Sequence, residues 1–167
     1  AAERADSLGV DIINSSLGYT TFDNPNHSYS YSDMDGKTTF ISRGAEIASS
    51  RGILVVNSAG NSGNSSWKYI GAPADAPSVI SIGAVDNDGN IASFSSFGPT
   101  ADGRIKPEIV GQGLYPATIN HISGDITTAS SGTSFSAPII AGLVACLNQN
   151  QSFLLKPVEL KRTNITS

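Results

Sequence analysis

The amino-acid sequence predicts an α/β domain with a doubly wound, mostly parallel sheet. Three segments carry that expectation. Residues 1–14 run from a helical pattern through Gly9 into the apolar stretch Val10-Asp11-Ile12-Ile13-Asn14, and alternating helix and strand is the rhythm of a sheet covered by helices. Ile53-Leu54-Val55-Val56 is continuously apolar, as a parallel strand covered on both faces must be. Residues 133–147 carry small and apolar side chains on nearly every side at helical spacing, which predicts a helix buried in the middle of a domain.

Taken in order, residues 1–8 read as the end of a helix closed by Gly9, since glycine accepts the left-handed backbone of a helix C-terminus. A short buried strand follows over residues 10–14. Residues 19–38 form a polar loop rich in Tyr, Ser, Asp and Asn. It exceeds the usual connection of about 4–6 residues, which marks a functional segment or a simple insertion. Residues 39–50 read as a helix ending at Gly52, with Ile41, Ala45 and Ala48 inside, joined by Phe40 and Ile47. Val79-Ile80-Ser81-Ile82 is another strand, and Asp86-Asn87-Asp88-Gly89-Asn90 is a turn. Irregular Gly- and Pro-containing chain is expected up to about residue 117, then a strand over 117–122. Pro138 is expected in the first turn of the last helix, where a missing N–H costs little. Residues 156–167 carry a short helical pattern that fades.

The length of 167 residues suits one domain with its own core. Charged residues make up only 14%, against about 25% in an ordinary soluble domain. The net charge is −4 with no basic cluster, which argues against a nucleic-acid partner. No apolar run reaches the roughly 18 residues of a membrane span. The single cysteine, Cys146, excludes an intramolecular disulfide. Its apolar neighbours predict a small buried core residue rather than a reactive thiol.

Three segments have residue types suited to chemistry. Ser131-Gly132-Thr133-Ser134-Phe135-Ser136-Ala137-Pro138 enters the last helix. A serine there meets unpaired backbone N–H groups and a dipole that favours developing negative charge. Alone it reads more simply as an N-cap. Asn57-Ser58-Ala59-Gly60-Asn61-Ser62-Gly63 follows the strongest strand, at the carboxyl edge where parallel sheets bind ligands. Asn61 has an amide able to donate to an oxyanion, or simply to support a glycine-rich turn. Ser15-Ser16-Leu17-Gly18 lies at the same edge by the same logic.

In this order, the three segments resemble the subtilisin-like serine protease family. The likeness runs on through Gly71-Ala72-Pro73, residues 77–85, Ala92-Ser93-Phe94-Ser95-Ser96-Phe97-Gly98-Pro99 and Lys106-Pro107-Glu108-Ile109. It implies the three-layer subtilisin-like fold and roles for particular residues. Ser134 looks like the nucleophile, and Asn61 like the side-chain donor of the oxyanion hole beside the Ser134 N–H. Ser16, Leu17 and Gly18 on one side, and Ser58, Ala59 and Gly60 on the other, look like the backbone edges that hold a peptide. Gly71 looks like the floor of the primary pocket, open to a medium or large apolar side chain. Gly132 and Thr133 belong to the nucleophile turn.

The pattern also breaks. A serine hydroxyl needs a base, which this family supplies as a His and an Asp upstream of the nucleophile. His27 and His121 stand in no such motif, and Asp11 matches a structural position. The likeness therefore implies the C-terminal portion of one catalytic domain, incomplete on its N-terminal side and inactive alone. The rival reading is a non-catalytic binding or assembly module of degenerate protease fold. Open strand edges predict association, with the missing N-terminal half or as a homodimer. Gly111-Gln112-Gly113 replaces the family's Ala-Pro-Gly and puts a local turn in question. The likeness implies a polypeptide substrate, a secreted or cell-envelope location and no required cofactor. Calcium is bound by many members, yet Asp33-Met34-Asp35-Gly36 is only half of a calcium loop. Ser65 and Lys68 fit a Ser-x-x-Lys pattern whose companion motifs are absent.

Overall fold

The computed structural model describes residues 1–150. The expected pattern over 156–167 lies outside them. Four parallel strands form the central sheet: β1 (Ile12–Ser15), β2 (Leu54–Ser58), β3 (Ile80–Val85) and β4 (Ile109–Gln112), in the order β1-β2-β3-β4. Ile12 sits beside Leu54, Val56 beside Ile80 and Ile82 beside Ile109. A small antiparallel pair, β5 (Thr118–Ile119) with β6 (Ile126–Thr127), stands apart from it. The helices are α1 (Ala2–Ser7), α2 (Phe40–Ser50) and α3 (Thr133–Asn150).

Strand period sorts the core into two layers. Leu54 and Val56 of β2 point with Ile80 and Ile82 towards Ala137, Ile140, Ala141 and Val144 of α3. Ile53 and Val55 point the other way, towards Ala45 and Ala48 of α2 and towards Ala76 and Val79. Every residue of β2 and β3 is buried, which is why these segments read as apolar runs rather than alternating ones. Each fully buried Val, Leu or Ile here contributes about 1.5–3 kcal/mol from removal of its surface from water.

Several expectations need correction. Residues 109–112 form strand β4, not irregular chain. Gly111 hid it: a Cβ there would lie 3.3 Å from the Ser136 carbonyl, so the glycine lets α3 press on the strand. The strand expected over 117–122 is only Thr118–Ile119. Phe40 and Ile47 are 77% and 62% exposed. The inner face of α2 is instead Ser42, Ala45, Ala48 and Ser49, because buried Asp75 takes the Ser42 hydroxyl as a partner. Helix α3 is buried on one side only. Ile139 and Leu143 are about half exposed, and Cys146 is exposed rather than in the core.

Loop 19–38 carries two short 3-10 turns, Pro25–His27 and Tyr31–Asp33. It is pinned at its far end. Met34 is fully buried, and its carbonyl accepts from the Ala101 N–H at 2.9 Å. The Gly36 N–H donates to Asp75 at 2.8 Å. Gly36 has φ +75, and a Cβ there would meet the Pro77 ring and Arg104, so only glycine fits.

Candidate active site

The Ser134 turn is built from the end of β4 and the start of α3. The Gly132 N–H donates to the Gly113 carbonyl at 2.8 Å, and the Phe135 N–H to the Gly132 carbonyl at 3.0 Å. A Cβ on Gly113 would lie 2.7 Å from Ala84 Cβ and 2.8 Å from the Gly132 carbonyl. Gly111-Gln112-Gly113 therefore keeps this turn closed. It fixes Ser134 as the second residue of α3, where the backbone N–H has no acceptor within the helix.

Asn61 comes from the loop after β2 and faces this turn. Its Oδ1 accepts from the Thr133 N–H at 2.9 Å and from the Thr133 hydroxyl at 2.9 Å. Both partners are donors, so the oxygen is assigned by the network, and Asn61 lines the cleft. Thr133, fully buried, also accepts from the Gly60 N–H at 3.2 Å through the same hydroxyl. Two loops 72 residues apart thus set one amide.

Ser16 and Ser134 clasp each other. The Ser16 hydroxyl donates to the Ser134 carbonyl at 2.8 Å, and the Ser134 hydroxyl donates to the Ser16 carbonyl at 3.3 Å. Pro138 explains why the first bond is available. It lies inside α3 rather than in its first turn, and its missing N–H leaves the carbonyl four residues earlier, that of Ser134, without its helical donor. Ser16 fills the gap.

A cleft of about 200 Å³ opens beside Ser134. All the expected site residues line it except Leu17, Ala59 and Gly132. Ala59 is buried behind it, and Leu17 is exposed while its carbonyl accepts from Asn57 at 3.0 Å. Thr20, Ser62, Trp67, Tyr69 and Ser96 also line the cleft, and sequence reading missed them. Trp67 and Tyr69 sit in irregular chain, so no period marks them. An aromatic pair just before Gly71 was the available signal.

The hydroxyl of Ser134 has a carbonyl, not an imidazole, as its partner. His27 and His121 are both exposed in outlying segments. The Ser65 hydroxyl donates to the Ser62 carbonyl at 2.8 Å, so it is committed away from Lys68. Asp33 accepts from the Ser30 N–H and hydroxyl. Asp35 accepts from both Lys37 and Thr38. Desolvation pushes the Asp35 pKa up, but these bonds outweigh it and hold the carboxyl below the usual range. Among the described residues no group of three or more His, Cys, Asp or Glu is placed to hold a metal ion. Among them, too, no helix is long and apolar enough to cross a membrane.

The family model described as "Subtilase family" matches residues 1–167. The chain belongs to that family. Among its curated relatives, Subtilisin DY of Bacillus licheniformis is 36% identical over 146 residues, covering 87% of this chain and 45% of the relative. Serine protease AprX of Bacillus subtilis (strain 168) is 33% identical over 171 residues, covering 91% and 36%. The subtilase chain thus spans less than half the length of these relatives. Among solved structures, Sphericase superposes with a TM-score of 0.70 at 26% identity, covering 98% of this chain and 50% of that one. The prenylagaramide maturation protease PagA gives 0.71 at 26% identity, covering 96% and 52%. The subtilisin-like α/β fold expected from the sequence is therefore the fold of this subtilase.

Proposed function

We propose that this chain supplies the nucleophile and the oxyanion hole of a serine endopeptidase, and that the base comes from protein beyond these residues. The observation that carries it is Asn61, which lines the Ser134 cleft with its amide oxygen held by two Thr133 donors. Donors fixed in advance where negative charge develops are the largest single contribution in many acyl-transfer enzymes. In the reaction, the Ser134 oxygen bonds to the scissile carbonyl carbon while a base takes its proton. The carbonyl oxygen becomes an oxyanion held by Asn61 Nδ2 and the Ser134 N–H. Collapse expels the amine with a proton returned from the base, and water then releases the acyl group.

The substrate is a polypeptide, laid between the Ser16–Gly18 and Ser58–Gly60 edges. The open edge of β1 and the apolar concavity of about 760 Å³ lined by Ile13, Phe40, Ile41 and Val55 support association with the remainder of the domain, or with a second copy. Family habit supports a secreted or cell-envelope location. No cofactor enters the proposed chemistry.

The test is fluorophosphonate labelling read by intact mass and peptide mapping. It is run on this chain and on the longest natural form, each beside Ser134→Ala. Labelling at Ser134 in the long form is the expected result. No labelling in either form refutes the protease reading. The second reading, a binding or assembly module, is favoured by one observation, the carbonyl partner of Ser134 where a protease keeps an imidazole.

A further inference from the structure

We propose that loop 19–38 is the specificity element of the Ser134 cleft. It closes the primary pocket with Thr20 and braces the Tyr69 wall with Tyr31, so that the pocket takes a medium-sized, uncharged side chain. This rests on the peptide-cleaving reading above and names the substrate class of that site.

The far end of the pocket belongs to the loop. A Cβ placed on Gly71, the expected floor, would stand 3.3 Å from Thr20 Cγ2, with the Tyr19 backbone next at 3.9 Å. Thr20 itself lines the cleft. The floor is therefore a glycine facing a threonine methyl, and the depth of the pocket is set by residue 20.

The side wall depends on the same loop. Tyr69 lines the cleft, and behind it stands Tyr31, with ring centroids 4.2 Å apart. Phe97 packs edge-on against Tyr69 at 5.9 Å. The Tyr31 hydroxyl donates to the Pro99 carbonyl at 2.8 Å, which anchors the brace to the framework. Tyr69 has two aromatic neighbours, one of which the loop supplies.

The loop is held firmly enough to act this way. The Tyr19 N–H donates to the Ala72 carbonyl at 2.9 Å, and the Tyr29 N–H to the Thr20 carbonyl at 2.7 Å. With Met34 buried and Gly36 tied to Asp75, both ends are fixed.

Size and chemistry follow from the lining. A cavity of about 150 Å³ holds a benzene, and part of the 200 Å³ here is the mouth occupied by the reacting group. That leaves room for a leucine- or methionine-sized side chain and not for an indole. Hydroxyls of Thr20, Ser58, Ser62, Tyr69 and Ser96 surround it, with no acid or base among the lining residues. A buried ammonium or carboxylate would find no opposite charge.

The chain has one tryptophan, Trp67, and it lines the cleft. The fluorescence difference between the parent and Trp67→Phe forms of the full-length protein therefore reports occupancy without needing catalysis, the Trp peptide being read by kcat/KM alone. Acetylated tetrapeptide amides, alanine at the first three positions and Leu, Met, Phe, Trp, Lys or Glu at the fourth, are titrated against the full-length protein. Fluorogenic substrates carrying the same residue on the acyl side give kcat/KM in parallel. Leu and Met should exceed Lys, Glu and Trp by at least about tenfold, since one methylene in such a pocket is worth roughly 10–200-fold. Thr20→Gly should raise Phe and Trp relative to Leu by about tenfold. Tyr31→Ala should flatten the preference, and Tyr31→Phe, which keeps the ring, should restore it.

An unchanged order in Thr20→Gly, or Lys bound as well as Leu, overturns the proposal. Selective binding without labelling of Ser134 refutes the protease reading and leaves the specificity element standing. Labelling of Ser134 with an unselective pocket does the reverse.

Discussion

Replacing Lys106 by Met should destabilise the fold more than any change at the cleft. The Lys106 residue is 5% exposed. Its ammonium donates to the Ala76 carbonyl at 3.0 Å and the Val79 carbonyl at 2.6 Å, and pairs with Glu108 at 2.7 Å. These carbonyls flank the entry to β3, so the lysine staples the 73–79 segment to β4. Glu108 also accepts from the Ser81 N–H and hydroxyl through its second oxygen, and its side chain is only 10% exposed. Methionine matches the lysine stem in length and keeps the packing. What it removes is the cation of a buried ion pair, a loss of about 3–5 kcal/mol. Against a total stability of about 5–15 kcal/mol this is a large share. With a urea slope of about 2 kcal/mol per molar, the midpoint should fall by roughly 1.5–2.5 M. Urea unfolding followed by Trp67 fluorescence measures it. The double change Lys106→Met with Glu108→Gln should recover part of the loss, because the carboxylate charge opposite it goes too. A single-mutant shift below about 0.3 M, or no recovery in the double, would show the pair is not the staple described.

Ser16→Ala strands the Ser134 carbonyl, which Pro138 has already deprived of a helical donor. Stability should fall by about 1–3 kcal/mol in the same urea assay, whereas Ser15→Ala should change it little. Gly113→Ala places a methyl against Ser136, Ala84 and the Gly132 carbonyl; overpacking of this kind costs about 1–3 kcal/mol, visible as a lower thermal midpoint. Asn61→Ala should lower turnover of the full-length protein about 10²–10³-fold, a magnitude measured on subtilisin itself and carried over rather than worked from this chain; kcat on a peptide substrate checks it. Two carboxylates should oppose each other in acid. Arg104, by its hydrogen bonds, holds Asp102 down to about 2, so its contribution is present above the usual value of 3.8 and is lost as pH falls towards 2. Desolvation raises the Asp75 pKa against its hydrogen bonds from Ser42 and Gly36. The folded state therefore holds the Asp75 proton more tightly, and this group's effect strengthens the fold as pH drops through its raised value. Urea midpoints against pH for Asp75→Asn and Asp102→Asn should tilt in opposite directions relative to the parent.

The parallel strands β2 and β3 were legible because both faces are covered, so their composition is uniform. That Asn61, Thr133 and Ser134 meet at one cleft was legible through residue order. Strand β4 was hidden by the glycines that let α3 approach it. The orientation of α2 was misjudged because a buried carboxylate, Asp75, draws serine inward and leaves Phe40 and Ile47 outside. Thr20, Trp67 and Tyr69 were invisible as pocket walls because irregular chain carries no period. Their meeting depends on loop 19–38 folding against the separate segment that carries Trp67, Tyr69 and Gly71. Cys146 misled for a related reason: an apolar run at helical spacing does not say which side of the helix faces the core.

The clasp between Ser16 and Ser134 joins residues 118 positions apart. Closing a free loop of that span costs about 4 kcal/mol plus a constant. Two part-buried hydroxyl bonds do not offset this. The clasp can close only after the four strands have brought its ends together. During synthesis the Ser16 edge leaves the ribosome long before the helix bearing Ser134. A nascent chain therefore holds the Ser16 and Ser58 segments before α3 can bring Ser134 between them. The order of residues along the chain delays completion of the Ser134 cleft until the sheet that supports it is in place.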